Sequence, residues 1–174
     1  MALPAVGALG RWSLMFAADR VELLRVVANL LKPCGVLAAA VWDAPDRVPA
    51  ISLAFRVISR QLALDPPPPG PGPFSMADPE AVEGELCEAG FQCAQIHPLI
   101  VPFTFGSVAE FTSFARDVLP PGMRQLLARR CGSVDDPEIW QEFAVAAADY
   151  RMADGSVSLP SACLCLRALA GGTG

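Results

Sequence analysis

The stretch Leu30-Leu-Lys-Pro-Cys-Gly-Val-Leu-Ala-Ala-Ala-Val-Trp42 decides the fold class of this chain. Within it, Lys32–Gly35 has proline second and glycine fourth, which is the pattern of a type I turn. The short apolar run Val36–Trp42 follows at once and does not alternate with polar residues. Such a run is typical of a strand that is covered on both faces, as in a parallel sheet. With a helix before the turn, the stretch indicates an α/β fold.

Helical patterns lie on both sides of this stretch. The segment from Asp19 to Leu31 begins with a capping aspartate and continues with apolar residues at helical spacing. The same criteria predict helices over 48–62, 78–88, 108–118, 123–130 and 137–150, and strands over 95–105 and 157–169. In the helix over 48–62, the predicted buried stripe consists of Val48, Ile51, Phe55, Ile58 and Leu62. The strand over 95–105 contains two prolines, which favours a position at the edge of a sheet.

The length of 174 residues and the hydrophobic fraction of 53% suit one domain with a substantial core. We therefore expect a single domain over 1–174, with a lid helix and proline-rich loop at 44–76 and a helical insertion at 106–151. The tract Asp65–Pro73 is predicted to be an extended, solvated connector. The alternative for this tract is a proline-rich ligand for a partner domain.

The charge balance argues against a nucleic-acid partner. Thirteen basic and eighteen acidic residues give a net charge of −5, whereas binding to a phosphate backbone needs a concentrated basic face. The longest apolar run, Val36–Trp42, is far shorter than the ~20 residues that span a bilayer, so we expect no membrane span. The first basic residue is Arg11, so the positive start of a secretory signal is missing and we expect a cytoplasmic protein. An organelle transit peptide is the alternative.

Residues with catalytic or metal-binding chemistry are few. The six cysteines show no C-x-x-C spacing, and we interpret them as reduced, mostly buried thiols. No metal is expected, because the single histidine, His97, has no partner nearby in the sequence. His97 is either a general base or an ordinary residue of an edge strand. Asp135 and Asp136 are either an acid–base pair or, as we expect, the cap of the following helix.

Five motifs taken in order resemble a known enzyme family. They are Gly10–Asp19, Leu30–Gly35, Val41-Trp42, Glu88–Phe91 and Asp154–Pro160. Together they resemble the C-terminal half of a class I S-adenosylmethionine-dependent methyltransferase, of the type-11 or ubiquinone/menaquinone-biosynthesis-like branch. The resemblance implies a partial Rossmann-like sheet with helical lid insertions. It also implies that this chain supplies the last three strands, with the final strand antiparallel between the other two.

Two departures from the family pattern accompany the resemblance. Cys34 replaces the first glycine of the usual K-P-G-G turn, and no G-x-G-x-G lies between a strand and a helix. We therefore expect a truncated protein in which the strand Val36–Trp42 has an unpaired edge and an uncovered apolar face. A missing N-terminal half or a protein partner would then complete the cofactor site. The alternatives are a catalytically inactive interaction or regulatory subunit and an unrelated α+β ligand-binding module.

The expected function is methyl transfer from S-adenosylmethionine to a small organic molecule. Ligands of open α/β sheets lie beyond the carboxyl ends of the strands. By resemblance, Arg11 and Trp12 would bind the cofactor, and Met15, Phe16 and Trp42 would bind the acceptor. The alternative is core packing of Trp12, Met15 and Phe16 against the helix after Asp19, with Trp42 as a lid or core anchor. Methyl transfer depends mostly on positioning, because the sulfonium is already activated, so the sequence leaves the catalytic residues unassigned.

Overall fold

A computed structural model describes residues 4–66 and 68–171, so Pro67 of the proline-rich tract lies outside the described residues. The strands are β1 (Ala5–Arg11), β2 (Leu31–Trp42), β3 (Phe91–Phe105) and β4 (Val157–Ala170). The helices are α1 (Arg20–Leu30), α2 (Pro49–Gln61), α3 (Pro79–Glu88), α4 (Val108–Asp117), α5 (Pro121–Cys131) and α6 (Pro137–Ala147). Single 3-10 turns cover Leu14–Phe16, Pro45–Arg47 and Ala148–Tyr150. Within the described residues, every helix is too short or too polar to cross a bilayer.

The four strands form one mixed sheet in the order β1-β2-β4-β3. The final strand is antiparallel to β2 and lies between β2 and β3, so the predicted α/β fold class is confirmed. The predicted number of three strands is wrong. Ala5–Arg11 forms a fourth strand, parallel to β2, and it pairs along the edge that was expected to be unpaired. Its two glycines and small side chains give it little strand propensity of its own, so its conformation depends on pairing with β2.

The Lys32–Gly35 segment enters β2 as an irregularity in the pairing between β1 and β2. The register passes from Ala5 opposite Leu31 to Gly7 opposite Val36. Cys34 has φ of 62°, so the prediction of a type I turn is wrong, because that turn has no residue in the left-handed region. Gly35 is required for a separate reason. A Cβ atom there would lie 2.8 Å from the Lys32 carbonyl oxygen.

Substitutions at these two neighbouring positions are expected to act in opposite directions. Cys34→Gly removes the left-handed strain and should raise the free energy of unfolding by about 1 kcal/mol. Gly35→Ala forces the Lys32 carbonyl to move and should lower the free energy of unfolding by about 2–3 kcal/mol. Urea unfolding of both variants measures the two shifts. Equal effects of the same sign would contradict this description of the turn.

The helix starts follow from capping residues that the sequence identifies. The Asp19 carboxylate accepts a hydrogen bond from the Glu22 backbone N–H at the start of α1. Asp78 and Asp136 cap α3 and α6 in the same way. The side chains of Arg20 on α1 and Glu85 on α3 form a forked ion pair, with 2.8 Å between Arg20 Nε and Glu85 Oε2. These hydrogen bonds raise the pKa of the Arg20 guanidinium and connect the two helices.

The chain divides into two compact units. The first consists of Met1–Ala44, Pro68–Ile100 and Ala162–Gly174, and the second of Pro45–Pro67 and Val101–Ser161. This division does not test the predicted lid at 44–76 or the predicted helical insertion at 106–151, so both stay predictions.

The core of the second unit is rich in aromatic residues, among them the fully buried Phe111 and Phe143. In α2, Leu53, Val57 and Ile58 are buried, whereas Ile51 and Phe55 are only half-buried. The predicted stripe of α2 is therefore wrong in part. Because this helix is apolar over much of its circumference, periodicity alone does not fix its buried face.

Candidate functional site

The carboxyl ends of β1 and β2 lie side by side. Arg11 is the last residue of β1 and is paired with Ala40, and Trp42 is the last residue of β2. The backbone N–H of Trp12 continues the pairing by donating to the Ala40 carbonyl oxygen at 2.8 Å. Since the strands are parallel, Arg11, Trp12 and Trp42 meet at one edge of the sheet, where open α/β sheets bind ligands.

A stack of three side chains occupies this edge. The Trp12 and Trp42 rings lie 4.4 Å apart between centroids, with an angle of 17° between their planes. The Arg11 guanidinium carbon lies over the Trp12 ring, 4.7 Å from its centroid. Trp42 is buried, Trp12 is half-buried and Arg11 is exposed. We call this group the Arg11–Trp12–Trp42 stack, and it leads from the core of the first unit to the solvent.

Trp12 has a strained backbone. Its φ of 52° lies in the left-handed region, which costs a non-glycine residue roughly 1–2 kcal/mol. Such strain persists only where surrounding contacts hold it, and strained residues cluster at ligand sites. Here the hydrogen bond to Ala40 and the stacking on Trp42 hold Trp12 in place.

Met15 and Phe16 lie in the single turn that follows Trp12. The Met15 side chain is 1% exposed, as core packing would have it, whereas Phe16 is 56% exposed and is not a core residue. The Met15 carbonyl oxygen accepts two hydrogen bonds, from the Ser75 hydroxyl at 2.7 Å and from the Gly72 N–H at 2.9 Å. The end of the proline-rich tract is thus fixed on this turn.

Asp43 is a buried carboxylate directly after Trp42. It is 4% exposed, and its Oδ1 accepts a hydrogen bond from the Ala44 N–H at 2.7 Å. The Asp43 N–H donates to the Ala162 carbonyl oxygen at 3.2 Å. Asp43 is not among the site residues predicted from the sequence. The available signal was an acidic residue immediately after an apolar strand.

Cys163 pairs with Trp42 across the sheet and lies close to Asp43. Burial raises the pKa of the Cys163 thiol to about 11, and the neighbouring Cys165 thiol and Asp43 carboxylate contribute to the same shift. Cys163 therefore remains a neutral thiol at physiological pH. All six cysteines are free, but the interpretation of them as mostly buried is wrong, because three are exposed, two are half-buried and one, Cys163, is buried.

The raised pKa of Cys163 predicts a graded alkylation pattern. In the native protein at pH 8, iodoacetamide should modify the exposed Cys34, Cys87 and Cys93 within minutes and leave Cys163 unmodified. The rate at Cys163 should rise about tenfold per pH unit and level off near pH 11, because the thiolate is the reactive form. Peptide mass spectrometry measures each site. Modification of Cys163 at pH 8 as fast as Cys93 would contradict the buried, neutral thiol.

The other residues with catalytic chemistry lie elsewhere. His97 is exposed on β3, and β4 separates that edge strand from β2. The Asp136 carboxylate accepts from the Glu138 N–H at 3.0 Å as the cap of α6, and Asp135 forms an ion pair with Arg116 at 3.7 Å. Over residues 4–66 and 68–171, no three histidine, cysteine or acidic side chains are placed to hold a metal ion.

Comparison of the sequence with protein-family models and with curated proteins finds no match. Solved structures do match. A protein of Bacillus halodurans described as a candidate methyltransferase is 15% identical and has a TM-score of 0.50, with 97% of this chain covered. The YcgJ protein of Bacillus subtilis is 12% identical and has a TM-score of 0.52, with 99% of this chain covered. The phosphoethanolamine N-methyltransferase 2 of Haemonchus contortus, solved with S-adenosylhomocysteine, is 12% identical, has a TM-score of 0.43 and matches 95% of this chain over 33% of its own.

The first two of these structures share the fold of this chain but are too dissimilar in sequence to show more than the fold. This chain spans 65% of the length of the Bacillus halodurans protein and 66% of the YcgJ protein. About a third of each of those chains therefore has no counterpart here.

Proposed function

We propose that this chain takes part in methyl transfer from S-adenosylmethionine to a small organic molecule. The observation that carries the proposal is the Arg11–Trp12–Trp42 stack at the carboxyl ends of two adjacent parallel strands. The fold shared with the Bacillus halodurans protein and the five sequence motifs support the same function. The stack gives the proposal a site that can be tested.

The described residues fit one part of the methyl donor, its flat base. Stacking of a base on an aromatic side chain contributes about 1–3 kcal/mol, whereas an exposed cation–π contact contributes about 0.5–1 kcal/mol. An adenine ring can therefore replace the exposed Arg11 guanidinium over Trp12 with a net gain. The described residues contain no strand–glycine-rich loop–helix that would hold the rest of the donor. When bound, S-adenosylmethionine supplies an activated methyl group on a positively charged sulfur.

The residues of this chain would mainly position the ligands. Trp42 is buried and holds the Trp12 ring at a fixed orientation, so a base stacked on Trp12 would be oriented by the sheet itself. Asp43 places a carboxylate in a poorly solvated position beside the stack, where its attraction for a cationic group is weakly screened. These roles agree with a reaction in which orientation provides most of the catalysis.

We propose that another polypeptide, either a missing N-terminal half or a protein partner, supplies the glycine-rich loop. A second candidate function is a catalytically inactive interaction subunit. The described residues contain no strand–glycine-rich loop–helix, and this observation favours the second candidate, because the stack would hold only the base of the donor.

The three tryptophans allow a direct test by NMR. Trp12 and Trp42 form the stack, whereas Trp140 is buried in the second unit and serves as an internal control. Titration with S-adenosylhomocysteine to about 10 mM should shift the indole N–H signals of Trp12 and Trp42 and leave the Trp140 signal in place. The expected dissociation constant is weaker than about 1 mM, because a single stacked base provides only a few kcal/mol.

Two results would each overturn one part of the proposal, the first the base-binding site and the second the need for another polypeptide. No shift of the Trp12 and Trp42 signals at about 10 mM would show that the stack is not a base-binding site. Micromolar binding by this chain alone would show that it needs no other polypeptide to hold the donor. A Trp12→Leu variant, which lacks the aromatic face, should lose the shifts at Trp42.

A further inference from the structure

The two faces of the sheet in the first unit differ sharply in exposure. The strand registers place three rows of side chains on one face across β1, β2 and β4. These rows, which we call the open face, are Gly7–Val36–Leu169, Leu9–Ala38–Arg167 and Arg11–Ala40–Cys165. Leu9 is 87% exposed, and Gly7, Arg11 and Arg167 are also exposed. The other five residues are half-buried.

The opposite face of β2 and β4 is fully buried. Its residues on β2 and β4 are each at most 6% exposed, and they are Leu37, Ala39, Val41, Leu164, Leu166 and Ala168. A strand such as β2, with a parallel neighbour and an apolar sequence, is ordinarily covered on both faces. Only one face of this part of the sheet is covered.

The chemistry of the open face indicates what would cover it. Six of its nine residues are glycine, alanine, valine or leucine, and Cys165 is a seventh uncharged residue. The other two, Arg11 and Arg167, are arginines, although the whole chain has a net charge of −5. Within residues 4–66 and 68–171, neither guanidinium has an acidic partner at ion-pair distance. The face is therefore apolar, positively charged and free of acidic groups.

The dimensions of the open face match one α-helix. Three strands spaced about 4.8 Å apart make a surface about 10 Å wide, which is the diameter of a helix with its side chains. Five residues along each strand span about 16 Å, which is the length of about eleven helical residues. The small side chains at Gly7, Ala38 and Ala40 allow a helix backbone to approach closely.

We propose that the open face binds an amphipathic α-helix of another polypeptide. This helix has an apolar stripe flanked by acidic residues. The stripe covers Leu9, Ala38 and Leu169, and the acidic residues pair with Arg11 and Arg167. This proposal is based on the register and burial of the sheet, so it does not depend on methyl transfer. Its test therefore measures binding and not enzymatic activity.

Two matched synthetic peptides test whether the open face prefers a helix with acidic flanking residues. Both are about 14 residues long with the same leucine and alanine stripe, and the flanking positions carry glutamate in one and lysine in the other. Fluorescence anisotropy of the labelled peptides should show that this chain binds the glutamate peptide at least about tenfold more tightly. Arg167→Glu should remove the preference, because one positive and one negative charge then remain on the open face. Arg129→Glu, which makes the same charge change at an exposed position of α5, should leave it unchanged.

A further variant tests the apolar contact. Leu9→Glu should weaken the binding of the glutamate peptide by about tenfold or more. Because Leu9 is exposed, the variant should still fold, which circular dichroism can verify. Equal affinity for the two peptides, or no effect of Arg167→Glu or Leu9→Glu, would overturn the proposal. So would a dimer of the chain in sedimentation that Leu9→Glu dissociates, because a second copy would then be the occupant.

Discussion

Replacement of Trp42 by alanine is expected to lower the free energy of unfolding of the first unit by about 3–5 kcal/mol. Trp42 is 4% exposed and is the last residue of β2, so its truncation leaves a cavity at the end of the strand. The loss includes the stacking on Trp12, which contributes about 0.5–1.5 kcal/mol beyond the buried area. Urea unfolding followed by circular dichroism measures the change.

Further variants separate the destabilisation caused by the cavity from that caused by the loss of stacking. Trp42→Phe keeps an aromatic ring on Trp12 and should cost clearly less than Trp42→Ala. A double-mutant cycle of Trp12→Ala and Trp42→Ala should give a coupling energy of about 1 kcal/mol. Strict additivity of the two substitutions would contradict the stack.

Replacement of Phe111 by alanine should have a similarly large effect on the second unit, about 3–5 kcal/mol. Phe111 is 0% exposed, and its ring centroid lies 4.9 Å from that of Phe105 and 5.0 Å from that of Phe143. Removal of the ring leaves both partners facing a void that the packed helices close only in part. Thermal or urea unfolding of the variant measures the loss.

Phe55→Ala is the matched control for Phe111→Ala. Phe55 is on α2 and is half-buried, so the same chemical change should cost clearly less than it does at Phe111. The stripe predicted from the sequence would instead make the two effects comparable. An equal loss would support that stripe and contradict the observed orientation of α2.

The parts of the fold that short-range signals determine could be predicted from the sequence. Asp19 caps α1 before residues with apolar helical spacing, and Asp78 caps α3 directly before a proline at the first helical position. The run Val36–Trp42 is within β2, and the last strand is antiparallel to it. In each case the residues that determine the structure lie close together in the chain, or a family resemblance supplies the longer-range order.

The parts that were not predicted depend on contacts between distant residues. Ala5–Arg11 is a strand only because β2 pairs with it, and no feature of its own composition distinguishes it from a coil. The left-handed conformation of Cys34 depends on how the turn is fitted between α1 and β2.

The same limit applies to the candidate site. The sequence selected Arg11, Trp12 and Trp42, but their stacking requires the register that places Arg11 opposite Ala40. Met15 and Phe16 lie in one turn, but Met15 is 1% exposed and Phe16 is 56% exposed. Residue type alone does not indicate this difference.

Hydrogen exchange of the Trp12 backbone amide tests the central claim most directly, because the site exists only if β1 pairs in parallel with β2 and brings Trp12 beside Trp42. The Trp12 N–H donates to the Ala40 carbonyl oxygen at 2.8 Å, so its exchange should be slowed together with that of the β1 amides that pair with β2. Exchange at the rate of an unstructured peptide from Ala5 to Trp12, in a protein whose β2 amides are protected, would contradict the account.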